Sequence, residues 1–394
     1  MKRITIYLSI LAAGLSLSSC DGFLDQPAQG QMTEGDFLGN SNSAASLTNS
    51  IYATYREGST YETTGSWIGD LCSDNALRGS SMSDGGGTIY NNGTNQFQNL
   101  SGLTGSSAFL NWLWLNAYTG IGRANTALRT IDTFEGLAPR QKEILQGEAC
   151  FNRAWFYFVV LKLWGKGPIV PLETLSGAEQ AALKISDRTA LYDTIVADLQ
   201  IALKMPDKAE SAKWYPTSWY GRAHKGSAQG LLAKVLLYRA ADDPANAMQY
   251  YQQIVQIVKD MESSTDGYDL IAVDNIFTAG EYSVESVFEI GRPASRHPTG
   301  IPGLAVASTR GQAGLGYIAP SLNLVQSYEP GDKRKDNGII CGKTTIQRHG
   351  TDPKRDRRHD NHRRLQRKRP ELGQQRLPEP LLPQRLPAAA GRRG

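Results

Sequence analysis

A mainly α-helical domain, built from antiparallel helix pairs with long loops and a few short strands, is what the sequence predicts. Three observations carry this. Apolar residues recur at spacings of three and four over several segments of fifteen to twenty-five residues. Caps and breakers bound those segments. Period-two alternation, the mark of a half-buried strand, is confined to Ser283 to Ile290.

The elements follow in order. Residues 58–105 after a first helical stretch, Ser43 to Glu57, read as loop, because they hold Gly85-Gly86-Gly87, Asn91-Asn92-Gly93 and repeated Ser and Thr. A helix over Ser107 to Asp132 places Leu110, Leu113, Trp114, Ala117, Ile121, Ala124, Leu128 and Ile131 on one side. The next, Pro139 to Trp164, opens on proline and is stopped by Gly165-Lys166-Gly167-Pro168. Its wide aromatic stripe reads as packing against neighbouring helices. Asp187 caps a helix carrying Tyr192, Ile195, Val196, Leu199 and Leu203, and Met205-Pro206 ends it. Gly221 to Ala241 repeats the pattern. Asp243-Pro244 reads as cap and first-turn proline of a helix through Tyr251, Ile254, Val255 and Val258. Pro320 to Tyr328 returns to helix. Successive helices of this length suggest stacked, tetratricopeptide-like units, although the strict consensus of that repeat is absent.

The two ends differ from this middle. Met1-Lys2-Arg3 precede fourteen uncharged, mostly apolar residues, Ile4 to Leu17, the order of a signal peptide. As helix the run reaches about 21 Å, short of the roughly 30 Å hydrocarbon core, so it reads as a targeting segment and not a span. Leu17-Ser18-Ser19-Cys20 resembles a lipobox, which predicts cleavage before Cys20 and lipid on its thiol. Residues 1–19 are then a signal peptide and 20–40 a polar tether. At the other end, residues 342–394 hold fifteen Lys and Arg against five Asp and Glu, with no Phe, Tyr or Trp. Residues 1–341 therefore carry −6 within a chain of net +4. The basic tail cannot build a core. Export argues against a nucleic-acid partner, and the abrupt switch after Gly342 reads as translation in a shifted frame, with a natural disordered tail as the alternative. The helical domain spans 41–341.

Chemistry is sparse. Cys72, Cys150 and Cys341 have neither paired nor metal-ligand spacing, so no disulfide framework, metal or cofactor site is expected. Cys150 reads as core. Asp70 with Asp74, and Glu281 with Glu285, are the nearest carboxylate pairs to a hydrolase's, and both read as solvated or capping groups. His224 and His297 sit in no nucleophile or metal pattern. The glycines near Gly85 lack the Lys-Ser/Thr of a phosphate loop.

The ordered text resembles the SusD/RagB family of surface lipoproteins. The resemblance rests on Cys20-Asp21 with Phe23-Leu24-Asp25, on Gly122 through Leu128, and on Gly147-Glu148-Ala149 through Arg153-Ala154-Trp155 to Leu163-Trp164-Gly165. It continues in Asp198-Leu199, Gly221-Arg222-Ala223, Glu285 through Ile290, and Ala319-Pro320-Ser321 with Gly331-Asp332-Lys333-Arg334. It implies a SusD-like helical scaffold at the outer membrane, facing outward, that takes an oligosaccharide or other nutrient oligomer to a SusC-like TonB-dependent transporter without catalysis. The alternatives are a surface glycoside hydrolase and a helical-repeat adaptor with no small ligand. Sugars present apolar C–H faces and many hydroxyls, so a site needs aromatic rings and hydrogen-bonding groups. Residues 58–105 supply Trp67, Tyr61 and Tyr90 as platforms with Asp74, Asn91 and Asn92 as polar partners, and a second loop, Gly291 to Gly316, adds Arg296 and Arg310.

Overall fold

A computed structural model describes residues 34–55, 66–79, 87–105, 107–214, 221–276, 283–290 and 318–338. Its helices are Glu34–Leu38 (α1), Ser41–Thr54 (α2), Ser66–Leu71 (α3), Gly87–Asn99 (α4), Ala108–Ile131 (α5), Pro139–Trp164 (α6), Gly177–Ala181 (α7), Arg188–Ala202 (α8), Lys208–Trp214 (α9), Lys225–Asp242 (α10), Ala247–Glu262 (α11), Leu322–Ser327 (α12) and Lys333–Gly338 (α13). Four two-residue strands, Ala76–Leu77 (β1), Gly167–Pro168 (β2), Ile185–Ser186 (β3) and Ala319–Pro320 (β4), form two antiparallel pairs, β1 with β4 and β2 with β3.

The long helices stack in sequence order: α2 on α5, α5 on α6, α6 on α8, α8 on α10 and α10 on α11. Helix α6 lies at the centre. Residues Ile144, Leu145, Ala149, Cys150, Phe151, Ala154, Phe156 and Leu161 are all buried, so its aromatic stripe is core, as is Cys150. An α-helix buried on most of its circumference shows weak amphipathicity, which is why its stripe is wide. Close approach of α5 and α6 needs Gly120, where an added Cβ would lie 2.2 Å from the Phe156 ring. Capping is local and matches the sequence: the Asp187 side chain accepts from the Ala190 amide at 2.9 Å and that of Ser321 from the Leu324 amide at 3.1 Å.

Four expectations are corrected. Residues 87–99 are helix and not loop: Phe97 is buried with Leu71 and Phe109 in a satellite core, and a Cβ at Gly93 would lie 2.5 Å from the Phe109 ring. That packing overrides the turn chemistry of Asn91-Asn92-Gly93. Ser283 to Ile290 forms turns and bends with no strand partner among the described residues, and Phe288 instead packs edge-on to Phe151, ring centroids 4.8 Å apart. Asp243 ends α10 rather than opening α11, whose N-cap is Asn246. The carboxylate of Asp243 accepts from Asn246 Nδ2 and the Tyr250 hydroxyl, both at 2.9 Å, and holds the intervening turn. The stretch expected to be tether already folds at α1, because Phe37 packs on Phe134 with ring centroids 5.3 Å apart.

Candidate functional site

Of the predicted aromatic loop, residues 66–79 and 87–105 are described and contribute to a satellite unit. Leu71 from α3, Phe97 from α4 and Phe109 from α5 form its core, with Ile68, Leu103, Leu110, Trp112 and Ile318 packed around them. Trp67 lies on α3, and Tyr90, Asn91 and Asn92 lie on α4, so the two helices that carry them are packed together. Asn92 is exposed. Asp74 is exposed in the turn between α3 and β1, and its carbonyl accepts from the Ser321 hydroxyl at 2.6 Å. Asp70 is also exposed, and partial burial of its carboxyl raises it from its usual range. Arg78 ties the turn to α4, donating from Nη1 to Asn95 Oδ1 at 2.9 Å and from its amide to Gln98 Oε1 at 2.5 Å. Tyr61, Arg296, Arg310, His297, Glu281, Cys341, Cys20 and the basic tail lie outside the described residues. The chain following the second loop returns to this unit: β4 pairs with β1, matching Ala76 with Pro320 and Leu77 with Ala319, and Ile318 packs on the satellite core.

Charged residues inside the helical stack form two networks, which the sequence reading did not see. Arg153 of α6 grips Asp198 of α8 with two bonds, Nε to Oδ2 at 2.8 Å and Nη2 to Oδ1 at 2.6 Å. Its third bond, Nη1 to Asn125 Oδ1 at 2.7 Å, reaches α5, and Asn125 Nδ2 donates on to the Pro171 carbonyl at 3.0 Å. Burial raises the Asp198 carboxyl against the pull of this guanidinium. The second network joins Arg222 Nη1 to Glu148 Oε2 at 2.5 Å and Arg222 Nη2 to Asn49, while the Ala223 amide donates to the Tyr52 hydroxyl at 2.8 Å. Burial pushes Glu148 up, opposed by Arg222. The two buried charge pairs, Arg153 with Asp198 and Arg222 with Glu148, fix how the helices meet.

His224 is likewise structural. Its Nε2 lies 2.8 Å from the Tyr268 hydroxyl, which donates to Asp266 Oδ2 at 3.0 Å, and its Nδ1 meets the Ser227 hydroxyl. Burial first, then the Lys208 ammonium, lower its pKa to about 3. The Ser227 hydroxyl itself donates to the Val287 carbonyl at 2.9 Å, and the Nε2–H tautomer of the neutral ring donates to the Tyr268 hydroxyl. A polar cavity of about 380 Å³ opens elsewhere, lined by Arg188, Thr189, Tyr192, Arg239, Asp242 and Asp243. Its charges pair among themselves and with their neighbours: Asp242 Oδ2 accepts from Arg188 Nη2 and the Tyr192 hydroxyl, both at 2.6 Å, and Arg239 Nη2 binds Asp193 at 2.7 Å. Among the described residues no group of His, Cys, Asp and Glu is placed to hold a metal ion, and no helix is long and apolar enough to cross a membrane.

Residues 23–237 match the profile of a SusD-like family described as starch-binding associating with outer membrane. The chain belongs to this family. Among curated relatives, SusD-like protein P2 of Formosa agariphila is 26% identical over 235 residues, which is 56% of this chain and 43% of the relative. SusD-like protein P25 of the same organism is 24% identical over 246 residues, 60% of this chain and 42% of the relative. The SusD-like chain thus spans less than half the length of the curated relatives it matches. Its fold is similar to that of surface glycan-binding protein A from Bacteroides uniformis, with a TM-score of 0.63 at 19% identity over 78% of this chain and 65% of that one. It is also similar to a SusD-like carbohydrate binding protein from Bacteroides fragilis, with a TM-score of 0.59 at 20% identity over 74% and 54%. The motifs that carry the family resemblance hold the two buried networks: Asn125, Arg153 and Asp198 in one, Glu148 and Arg222 in the other. Charges inside otherwise apolar helices were the available signal for them.

Proposed function

We propose that this chain captures oligosaccharides at the cell surface, held to the outer membrane by lipid on Cys20, and passes them to a SusC-like TonB-dependent transporter. The family match over residues 23–237 carries this reading. The satellite unit is its ligand face: it holds α3 and α4, which carry Trp67, Tyr90, Asn91 and Asn92, together with the exposed Asp74. Tyr61, Arg296 and Arg310, which lie outside the described residues, are its further candidates from the sequence. The antiparallel pairing of β1 with β4 supports this, since it brings residues 319–320 against the segment that follows α3.

Calorimetric titration and a glycan array with the full chain test the proposal. Saturable binding without release of reducing ends is the expected result. Release of reducing ends would replace it with a glycosidase, and absence of any glycan binding with an adaptor. For the anchor, Cys20→Ala should move the protein from the membrane to the soluble fraction, and retention in the outer membrane would exclude lipid on Cys20.

A further inference from the structure

The polar cavity of about 380 Å³ lies where the start of α8 meets the end of α10. Its lining carries two guanidiniums, Arg188 and Arg239, and two carboxylates, Asp242 and Asp243, so its charge cancels. The pairing is lopsided. Three donors converge on one oxygen of Asp242: Arg188 Nε at 2.9 Å, Arg188 Nη2 at 2.6 Å and the Tyr192 hydroxyl at 2.6 Å all meet Oδ2. The other oxygen, Oδ1, has no hydrogen-bond partner among the described residues. The Tyr192 hydroxyl, and after it Arg188, hold this carboxyl below its usual range, so it stays an acceptor. The Thr189 hydroxyl is also without a partner among the described residues. Arg239 donates from Nη2 to Asp193 at 2.7 Å and rests over the rings of Tyr192 and Tyr250, 5.7 and 5.4 Å from their centroids. A guanidinium has five donors, so others remain for the cavity.

We propose that this cavity is a second ligand site, one that takes a single neutral sugar unit, such as the end of a glycan chain. Each sugar hydroxyl both donates and accepts, so it needs a fixed acceptor beside fixed donors. Asp242 Oδ1 is such an acceptor, because the three bonds on Oδ2 stop the carboxylate from turning, and that ordering is complete before any ligand arrives. Arg239 and the Thr189 hydroxyl supply the donors. Charged ligands are disfavoured: an anion must compete with Asp242 for Arg188, and a cation with Arg188 for Asp242. An apolar ligand finds no wall to lie on, since Tyr192 is buried and Arg239 covers its ring. Ligand pockets run from roughly 300 to 1,000 Å³, and the low end of that range fits about one or two sugar units. The choice of a sugar among neutral polyols rests on glycan capture being this chain's function. The cavity is built on α8 and α10, however, and shares no residue with the satellite unit on α3, α4 and α5, so the two sites can fail separately.

Saturation-transfer NMR of the full chain with glucose, galactose, mannose or xylose, and with glucuronate and glucosamine as charged probes, reads the cavity directly. At least one neutral sugar should bind saturably, with a dissociation constant on the order of 1 to 10 mM, and more tightly than either charged probe. Thr189→Trp fills the cavity from an exposed position and should weaken that binding at least about tenfold with the melting temperature unchanged. Asp242→Asn keeps the side-chain shape, makes Oδ1 a poorer acceptor and should weaken binding as well. Absence of binding for every neutral sugar would overturn the proposal, as would binding unaffected by Thr189→Trp or a preference for a charged probe. Monosaccharide binding that Thr189→Trp removes, in a chain that captures no oligosaccharide, would retire the satellite face and keep the cavity. Oligosaccharide capture without monosaccharide binding would do the reverse.

Discussion

Replacing Arg153 by leucine tests whether the buried network holds the helical stack together. The guanidinium makes three bonds shorter than 2.9 Å, two to Asp198 and one to Asn125, and so joins α5, α6 and α8 at one point. Its removal leaves the Asp198 carboxylate, whose side chain is 4% exposed, without its counter-charge. Breaking a buried pair on one side costs about 3 to 5 kcal/mol. Against a total stability of about 5 to 15 kcal/mol, that is a large fraction. Arg153→Leu with Asp198→Leu removes the orphaned charge as well, and should cost about 2 kcal/mol less than the single change. Acid should help the single variant, since a protonated Asp198 is cheaper to bury, so its deficit at pH 7 should shrink at pH 5. Urea unfolding followed by circular dichroism measures all of these. A single variant that loses less than about 1 kcal/mol would refute the reasoning, as would a double variant that loses the sum of its parts.

Three further outcomes follow from other sites. Gly120→Ala must displace the Phe156 ring and should destabilise by about 1 to 3 kcal/mol in the same assay, despite alanine's better helix propensity. His224 stays neutral in the folded chain down to a pKa of about 3 and protonates near 6.5 when unfolded. The unfolded state therefore binds the extra proton between those values, and stability should fall by up to about 1.4 kcal/mol per unit as pH drops from 6.5 to 5. His224→Gln should flatten that slope, and an unchanged slope would assign it to other groups. Trp67→Ala should weaken glycan binding by about 1 to 3 kcal/mol in calorimetry with the melting temperature nearly unchanged. Loss of the fold instead would make Trp67 core and move the ligand face elsewhere.

The candidate site was legible only in part. Trp67, Asp74 and the 90–92 segment are proposed from composition, because a sugar site needs rings beside amides and carboxylates. That α3 and α4 pack together was invisible, since it depends on Phe97 meeting Phe109 in space. The return of residues 318–321 to the turn after α3 was equally hidden, because nothing near Ala76 marks Pro320 as its partner.

By itself the sequence determined what is decided within a few residues. The bounds of α6 follow from Pro139 at its start and Gly165, with φ of 72°, at its end. Asp187 and Ser321 cap helices by bonds to amides three residues on. Tertiary structure alone decided the rest. It made Asn91-Asn92-Gly93 helical by packing Phe109 on Gly93, and it left Ser283 to Ile290 as turns and bends with Phe288 packed on Phe151. It also joined Arg153 to Asp198 and Arg222 to Glu148, forty-five and seventy-four residues apart. Caps and periodicity act through hydrogen bonds and side-chain spacing inside one segment. A charge buried between helices is set by which segments meet, and that is fixed only when the whole stack closes over its core.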